Sequence, residues 1–216
     1  MFNLAKHRKH PNLGRFCFTG AAAVGLTAVM FAVSQVPVAA QDGGYTPQFK
    51  EDGQLILPPH QIWRDWPYIG TPLTPNALND GEAAFPEFHS VYIDPVSWEH
   101  WRRTGEFRDG TILAKELVSV YDVDAHPDGS TDQVSGRGYF MGDFSGFEIA
   151  YKSAEHFPDE PGNWAYFTFG HHAPPYAAST KVMPVDACAA CHQAEAAEDF
   201  VFTQFYPVLR AAKGGQ

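Results

Sequence analysis

Hydrophobic and polar positions alternate with a period of two through much of the chain from residue 88 to residue 169. Phe88–Ile93 predicts a strand, and Thr111–Tyr121 a longer one in which Lys115 shares a face with Leu113 and Leu117. Phe147, Ile149 and Tyr151 alternate with Glu148, Ala150 and Lys152, so Phe147–Lys152 predicts a strand with one buried face. Arg137–Met141 predicts another strand, separated from it by Gly142-Asp143-Phe144-Ser145-Gly146, and Trp164–Phe169 an aromatic one. The polar Asp/Gly/Pro stretch Asp122–Ser135 suggests a hairpin.

Helical signals come in two places. Pro95–Thr104 has Asp94 as its N-cap, Pro95 at the first helical position and Gly105 at its end, with Trp98 and Trp101 on one face. Asp186–Glu198 is Ala-rich with Asp186 as its N-cap, and Phe200–Ala212 continues as an apolar helical segment bent near Pro207. Residues 41–60 read as an irregular arm, residues 61–87 as a Pro/Trp-rich packed loop that cannot be a long helix, and residues 170–186 as a loop. No internal repeat is present. Strands in the middle and helices at the end predict an α+β fold, an antiparallel β-sheet with flanking helices.

Composition supports one folded domain. The 216 residues are 44% hydrophobic and 14% aromatic, enough for a core, and 19 Gly with 17 Pro exclude an all-helical bundle. A net charge of −10 argues against nucleic-acid binding, which needs a basic patch. The first 40 residues carry Lys6, Arg8, Lys9 and Arg15 and no acid, then an apolar run from Phe16 to Val33, then Val36-Pro37-Val38-Ala39-Ala40. This is the pattern of a secretory signal peptide over residues 1–40, with cleavage after Ala40 and, lacking a twin-Arg pair, export by the general secretory route. The rival is an uncleaved membrane anchor. With cleavage the mature protein is periplasmic and leaves the membrane. It keeps 176 residues, and the loss of four basic groups takes the charge to −14. Cys17 goes too, so no disulfide framework is available.

The two remaining cysteines lie in Cys188-Ala189-Ala190-Cys191-His192, a C-x-x-C-H pattern and the attachment signature of one covalent haem c. Two thiols on a first helical turn reach the vinyl groups of one porphyrin edge, and the imidazole of His192 then binds the iron. A thioredoxin-type dithiol does not account for His192, and a zinc site needs more ligands at suitable spacing. Class I cytochromes c place a Met ligand downstream of the motif, and here no Met follows. The upstream candidates are Met141, read as core, Met183, too near Cys188 to reach the opposite haem face, and His171 and His172 in their Pro-rich loop. An open sixth position is favoured, which means small-ligand binding or chemistry rather than electron relay. Lys115 between two leucines is either an edge or snorkelling lysine or, if desolvated, a nucleophile.

Three stretches, "VYIDP", "FRDGTILAKEL" and above all "CAACHQAEAAEDFVFTQFYPVLR", give the region from Phe85 to Arg210 a resemblance to the cytochrome P460 family, which includes the β-type cytochromes c′. The resemblance implies a haem domain over residues 88–216, with an N-terminal arm and packed loop over 41–87, an antiparallel sheet, a C-terminal haem-binding helix and a homodimer. It implies hydroxylamine oxidation in the periplasm, with electrons passed to a cytochrome partner. It matches Lys115 to the lysine that P460 members cross-link to haem. It places the region of the distal proton-accepting carboxylate at Lys181–Asp186, where Asp186 is the acid and Met183 stands against a relay. The β-type cytochromes c′ instead bind nitric oxide and other gases in a phenylalanine-lined pocket without the cross-link. Phe140, Phe144, Phe147, Phe167 and Phe169 are candidate pocket residues for that alternative, or ordinary core.

Overall fold

The computed structural model describes residues 44–213, and the segment read as a signal peptide lies outside them. In chain order the strands and helices are β1 (Leu55–Ile56), β2 (Tyr68–Gly70), β3 (Phe88–Ile93), α1 (Pro95–Thr104), β4 (Ile112–Val120), β5 (Thr131–Gln133), β6 (Gly136–Gly138), β7 (Met141–Lys152), β8 (Trp164–Thr168), β9 (Ser179–Thr180), α2 (Ala189–Glu195) and α3 (Pro207–Ala212). Five of the strands form an antiparallel sheet in the order β2-β3-β4-β7-β8, and two-stranded pairs β1-β9 and β5-β6 lie beside it. The α+β architecture expected from the element order is therefore present. Among the described residues no helix is long and apolar enough to cross a membrane.

Period two sorts the side chains of the sheet into two cores. On one face Val91, Ile93, Leu113, Trp164 and Tyr166 meet Trp101 of α1, Ala189 of α2 and Leu209 of α3. The Trp101 indole nitrogen donates to the Leu209 carbonyl at 2.8 Å and so joins α1 to α3. On the other face Ile112, Ala114, Phe147, Ile149, Tyr151 and Phe167 meet Leu55, Trp63 and Trp66. Trp63 stacks on Phe147 with ring centroids 3.9 Å apart. The face of β7 that carries Glu148, Ala150 and Lys152 is thus covered as well, by the helices.

Local chemistry explains the first helix. The Asp94 carboxylate accepts from the Ser97 amide at 2.9 Å, capping α1, and from the Ile112 amide at 2.9 Å, tying the helix start to β4. Gly105 closes the helix in the left-handed region at φ 74°.

Four expectations are corrected. The packed loop contains β2, a sheet edge on which Pro67 and Pro72 offer carbonyls to the Ile93 and His89 amides, each at 3.0 Å; proline lacks only the donor, so an edge tolerates it. The stretch Gly142–Gly146, expected to separate two strands, is itself part of β7, while the expected strand Arg137–Met141 divides between β6, which holds Arg137 and Gly138, and β7, which Met141 opens. A Cβ at Gly142 would lie 2.6 Å from Ser119 Oγ and one at Gly146 2.9 Å from Leu117 Cδ1. The glycines permit close approach at register shifts in β4 rather than a turn. The haem-motif helix is shorter than Asp186–Glu198, because a turn at Pro184–Ala187 precedes it and Cys188, not Asp186, holds the N-cap position. Pro207 opens α3 at its first turn instead of bending a longer helix.

The stacked Trp63 makes the N-terminal segment part of the cooperative unit. Trp63→Ala is expected to cost about 3–5 kcal/mol of unfolding free energy in a denaturant titration. A loss below about 1 kcal/mol, the size of an ordinary surface change, would place the segment outside that unit.

Candidate functional site

The helix-covered face of the sheet opens into a cavity of about 460 Å³ between β3, β4, β7, β8 and α2. Cys188, Cys191 and His192 line one side of it, and His89, Lys115 and Glu148 line the sheet side. The cysteines are free thiols, Cys188 half-buried and Cys191 exposed. Burial pushes the Cys188 thiol up, which keeps it protonated.

His192 is held on three sides. Its Nδ1 lies 2.8 Å from the Phe200 carbonyl oxygen, to which it donates in the neutral form, and its ring packs between Tyr166 and Phe202 at centroid distances of 4.4 and 4.7 Å. Burial holds the imidazole below its ordinary range, only partly offset by that carbonyl. A neutral imidazole with Nδ1–H engaged carries its lone pair on Nε2, the state a metal ligand needs. Two thiols and such a nitrogen, all on one largely apolar cavity, fit a covalently held haem.

Lys115 and Glu148 are direct cross-strand partners in the β4–β7 register. Their side chains form an ion pair with Nζ 2.5 Å from Oε2, each about 23% exposed. The Lys115 Nζ also lies 4.4 Å from the centre of the Phe85 ring. Lys115 shares the cavity with Leu113 as period two requires, while Leu117 lies outside it. Glu116 points to the opposite face, where Arg64 grips it in a bidentate pair, Nε donating to Oε2 at 3.1 Å and Nη2 to Oε1 at 2.7 Å.

The remaining sequence candidates divide. Asp186 is exposed, does not cap α2 and is not part of the cavity wall; the carboxylate there is Glu148. Met183 lines the cavity beside Cys188, anchored by its backbone N–H to the Tyr166 carbonyl at 2.8 Å. His171 also lines it, with Nε2 paired to buried Glu87 and its ring stacked on Phe85. His172 is exposed, with Nδ1 2.7 Å from the Ala173 carbonyl. Met141, expected in the core, is half-exposed outside the cavity, because β7 begins beyond the covered part of the sheet. Phe147 and Phe169 belong to the opposite core, Phe140 and Phe144 lie outside the cavity, and Phe167, although it packs in the opposite core, lines the cavity together with Phe85 and Phe202. Glu148 was detectable from the sequence as a charge on the alternate positions of β7; Phe85, in an irregular segment, carried no such periodicity.

The family model described as cytochrome P460 matches residues 60–203, which is most of the described chain. The protein belongs to the cytochrome P460 family, whose members hold haem. No curated protein matches the chain at a significant level.

Burial, and then the charge of Lys115, push His89 down to about 4 from its ordinary 6.5. The unfolded chain takes up that proton near pH 6.5 and the folded state only near pH 4, so stability is complete above 6.5 and falls as the pH drops between the two values. His89→Gln is expected to remove about 2 kcal/mol of the stability difference between pH 7 and pH 4.5. Urea unfolding at both values measures it, and an unchanged pH dependence would contradict the assignment.

Proposed function

We propose that the protein is a periplasmic haem protein that carries one haem c on Cys188 and Cys191 with His192 as axial ligand, and that it oxidises hydroxylamine. The observation that carries this reading is the Lys115–Glu148 ion pair facing the cavity that also holds the attachment motif. When bound, haem supplies an iron position at which a small nitrogen compound can coordinate and give up electrons. His192 would hold the haem iron through Nε2, with its ring fixed by Tyr166 and Phe202. Phe85 and Phe202 restrict water. Glu148 accepts protons released from the substrate, and its ion pair with Lys115 holds that side chain at the cavity. Electrons leave to a soluble cytochrome. The mature chain is released by cleavage after Ala40 and acts as a homodimer, supported by exposed Tyr121, Val134 and Met141 around one shallow depression.

A gas-binding β-type cytochrome c′ is the second reading. The aromatic side chains of Phe85, Phe167 and Phe202 at the cavity favour it. In that case nitric oxide binds without turnover.

Peptide mass mapping of the haem-loaded protein after complete digestion separates the two. The enzyme reading predicts that the Lys115 peptide travels with the Cys188–His192 peptide through the haem. Free Lys115 peptide from fully loaded protein would reject it in favour of gas binding. With hydroxylamine as substrate, Glu148→Gln is expected to lower turnover by about 10²-fold, the scale of a lost general base, while haem loading is retained. Undiminished turnover would remove Glu148 from the proton path.

A further inference from the structure

The segment that receives the His192 hydrogen bond is a tight turn in an unfavourable conformation. Glu198 and Val201 form an isolated antiparallel bridge, with the Val201 amide 2.7 Å from the Glu198 carbonyl. The two residues between them, Asp199 and Phe200, both have positive φ, 42° and 61°. Two left-handed residues closing a bridge make a turn of the I′ kind, where Asn-Gly or Asp-Gly is preferred. A bulky aromatic in that conformation is an outlier that persists only where its surroundings impose it.

The surroundings do impose it. The Asp199 carboxylate is held by Lys152 Nζ at 2.5 Å and accepts from the Trp164 indole nitrogen at 3.4 Å. The Phe200 ring lies where a Cβ on Gly162 would stand, so only glycine admits it. The turn thereby presents one carbonyl, that of Phe200, to two donors: His192 Nδ1 at 2.8 Å and the Tyr166 hydroxyl at 3.3 Å.

We infer that the Asp199–Phe200 turn, clamped by Lys152 and shared with Tyr166, sets how strongly His192 donates to the haem iron. The inference rests on His192 being the axial ligand. A carbonyl that accepts from Nδ1–H raises the basicity of the ligating nitrogen and favours the ferric state. Tyr166 draws on the same acceptor and weakens that effect. Lys152 and Asp199 strengthen it by holding the carbonyl in place. Tyr166, Lys152 and Asp199 are therefore positioning residues that act through His192.

The test uses haem-loaded protein and two readouts, the ferric–ferrous midpoint potential and the iron–histidine stretching frequency of the ferrous form. Tyr166→Phe keeps the ring against His192 and frees the carbonyl; the stretch is expected to rise and the potential to fall. Lys152→Gln loosens the turn; the stretch is expected to fall and the potential to rise, by about tenfold in the ferric-to-ferrous ratio, equivalent to 59 mV for one electron. Lost positive charge alone would lower the potential, so a role of Lys152 as a charge gives the opposite sign and overturns the clamp. Lys152→Arg is expected to restore both values. A stretch unmoved in both Tyr166→Phe and Lys152→Gln, with haem still bound, overturns the inference. Absence of an iron–histidine band from parent protein whose ferrous haem is five-coordinate removes the ligand assignment itself, and the inference with it.

Discussion

A sheet covered on both faces leaves a charged side chain no place except beside an opposite charge. That constraint organises the molecule. Trp63, Trp66 and Leu55 cover one face of the central strands and the helices cover the other. Each face nevertheless carries a carboxylate, and each carboxylate has a cation. Glu116, 1% exposed, is held by Arg64 from the N-terminal segment. Glu148 is held by Lys115 from the neighbouring strand. Removing one member of such a pair leaves the other charge uncompensated, the costly change for a buried ion pair. The first pair faces packed aromatic side chains. The second faces the cavity lined by Cys188, Cys191 and His192, and so the same electrostatic requirement that stabilises one face places a charge pair in the cavity on the other.

Much of the fold was legible because the strands obey period two and α1 has its cap, its proline and its terminal glycine in order. Legibility failed where glycine had a packing reason rather than a turning one. Gly142 and Gly146 look like a break, but they let β7 pass close to Ser119 and Leu117. It failed again at β2, whose flanking prolines read as loop although their carbonyls serve a sheet edge. Near the motif, the Ala-rich run predicted a longer helix than Ala189–Glu195, since helix propensity does not register the turn before Cys188 or the left-handed pair after it.

Cys188, Cys191, His192 and Lys115, singled out in the sequence, all line the cavity, and the carboxylate that lines it with them, Glu148, was not among the candidates. Asp186 is the acid of Lys181–Asp186, the stretch that the resemblance matches to the distal-carboxylate region, but such a match does not place a side chain in a cavity. Glu148 lies 33 residues from Lys115 in sequence and directly opposite it in space. Only strand register brings the two together. The alternation in β7 was read as one buried and one open face. The positions taken as open are those that meet the helices and the cavity, so the polar residues of a sheet buried on both sides were the ones to follow.

The central claim is that Cys188, Cys191 and His192 hold haem on the cavity face of this sheet, with the cysteines bonded to it. Extraction of the purified, haem-loaded protein with acidified acetone tests this directly, with a Cys188→Ser/Cys191→Ser double variant alongside. The account predicts that haem absorbance stays with the precipitated wild-type polypeptide and passes into the organic phase from the variant. Haem that leaves the wild-type protein into the solvent would contradict it.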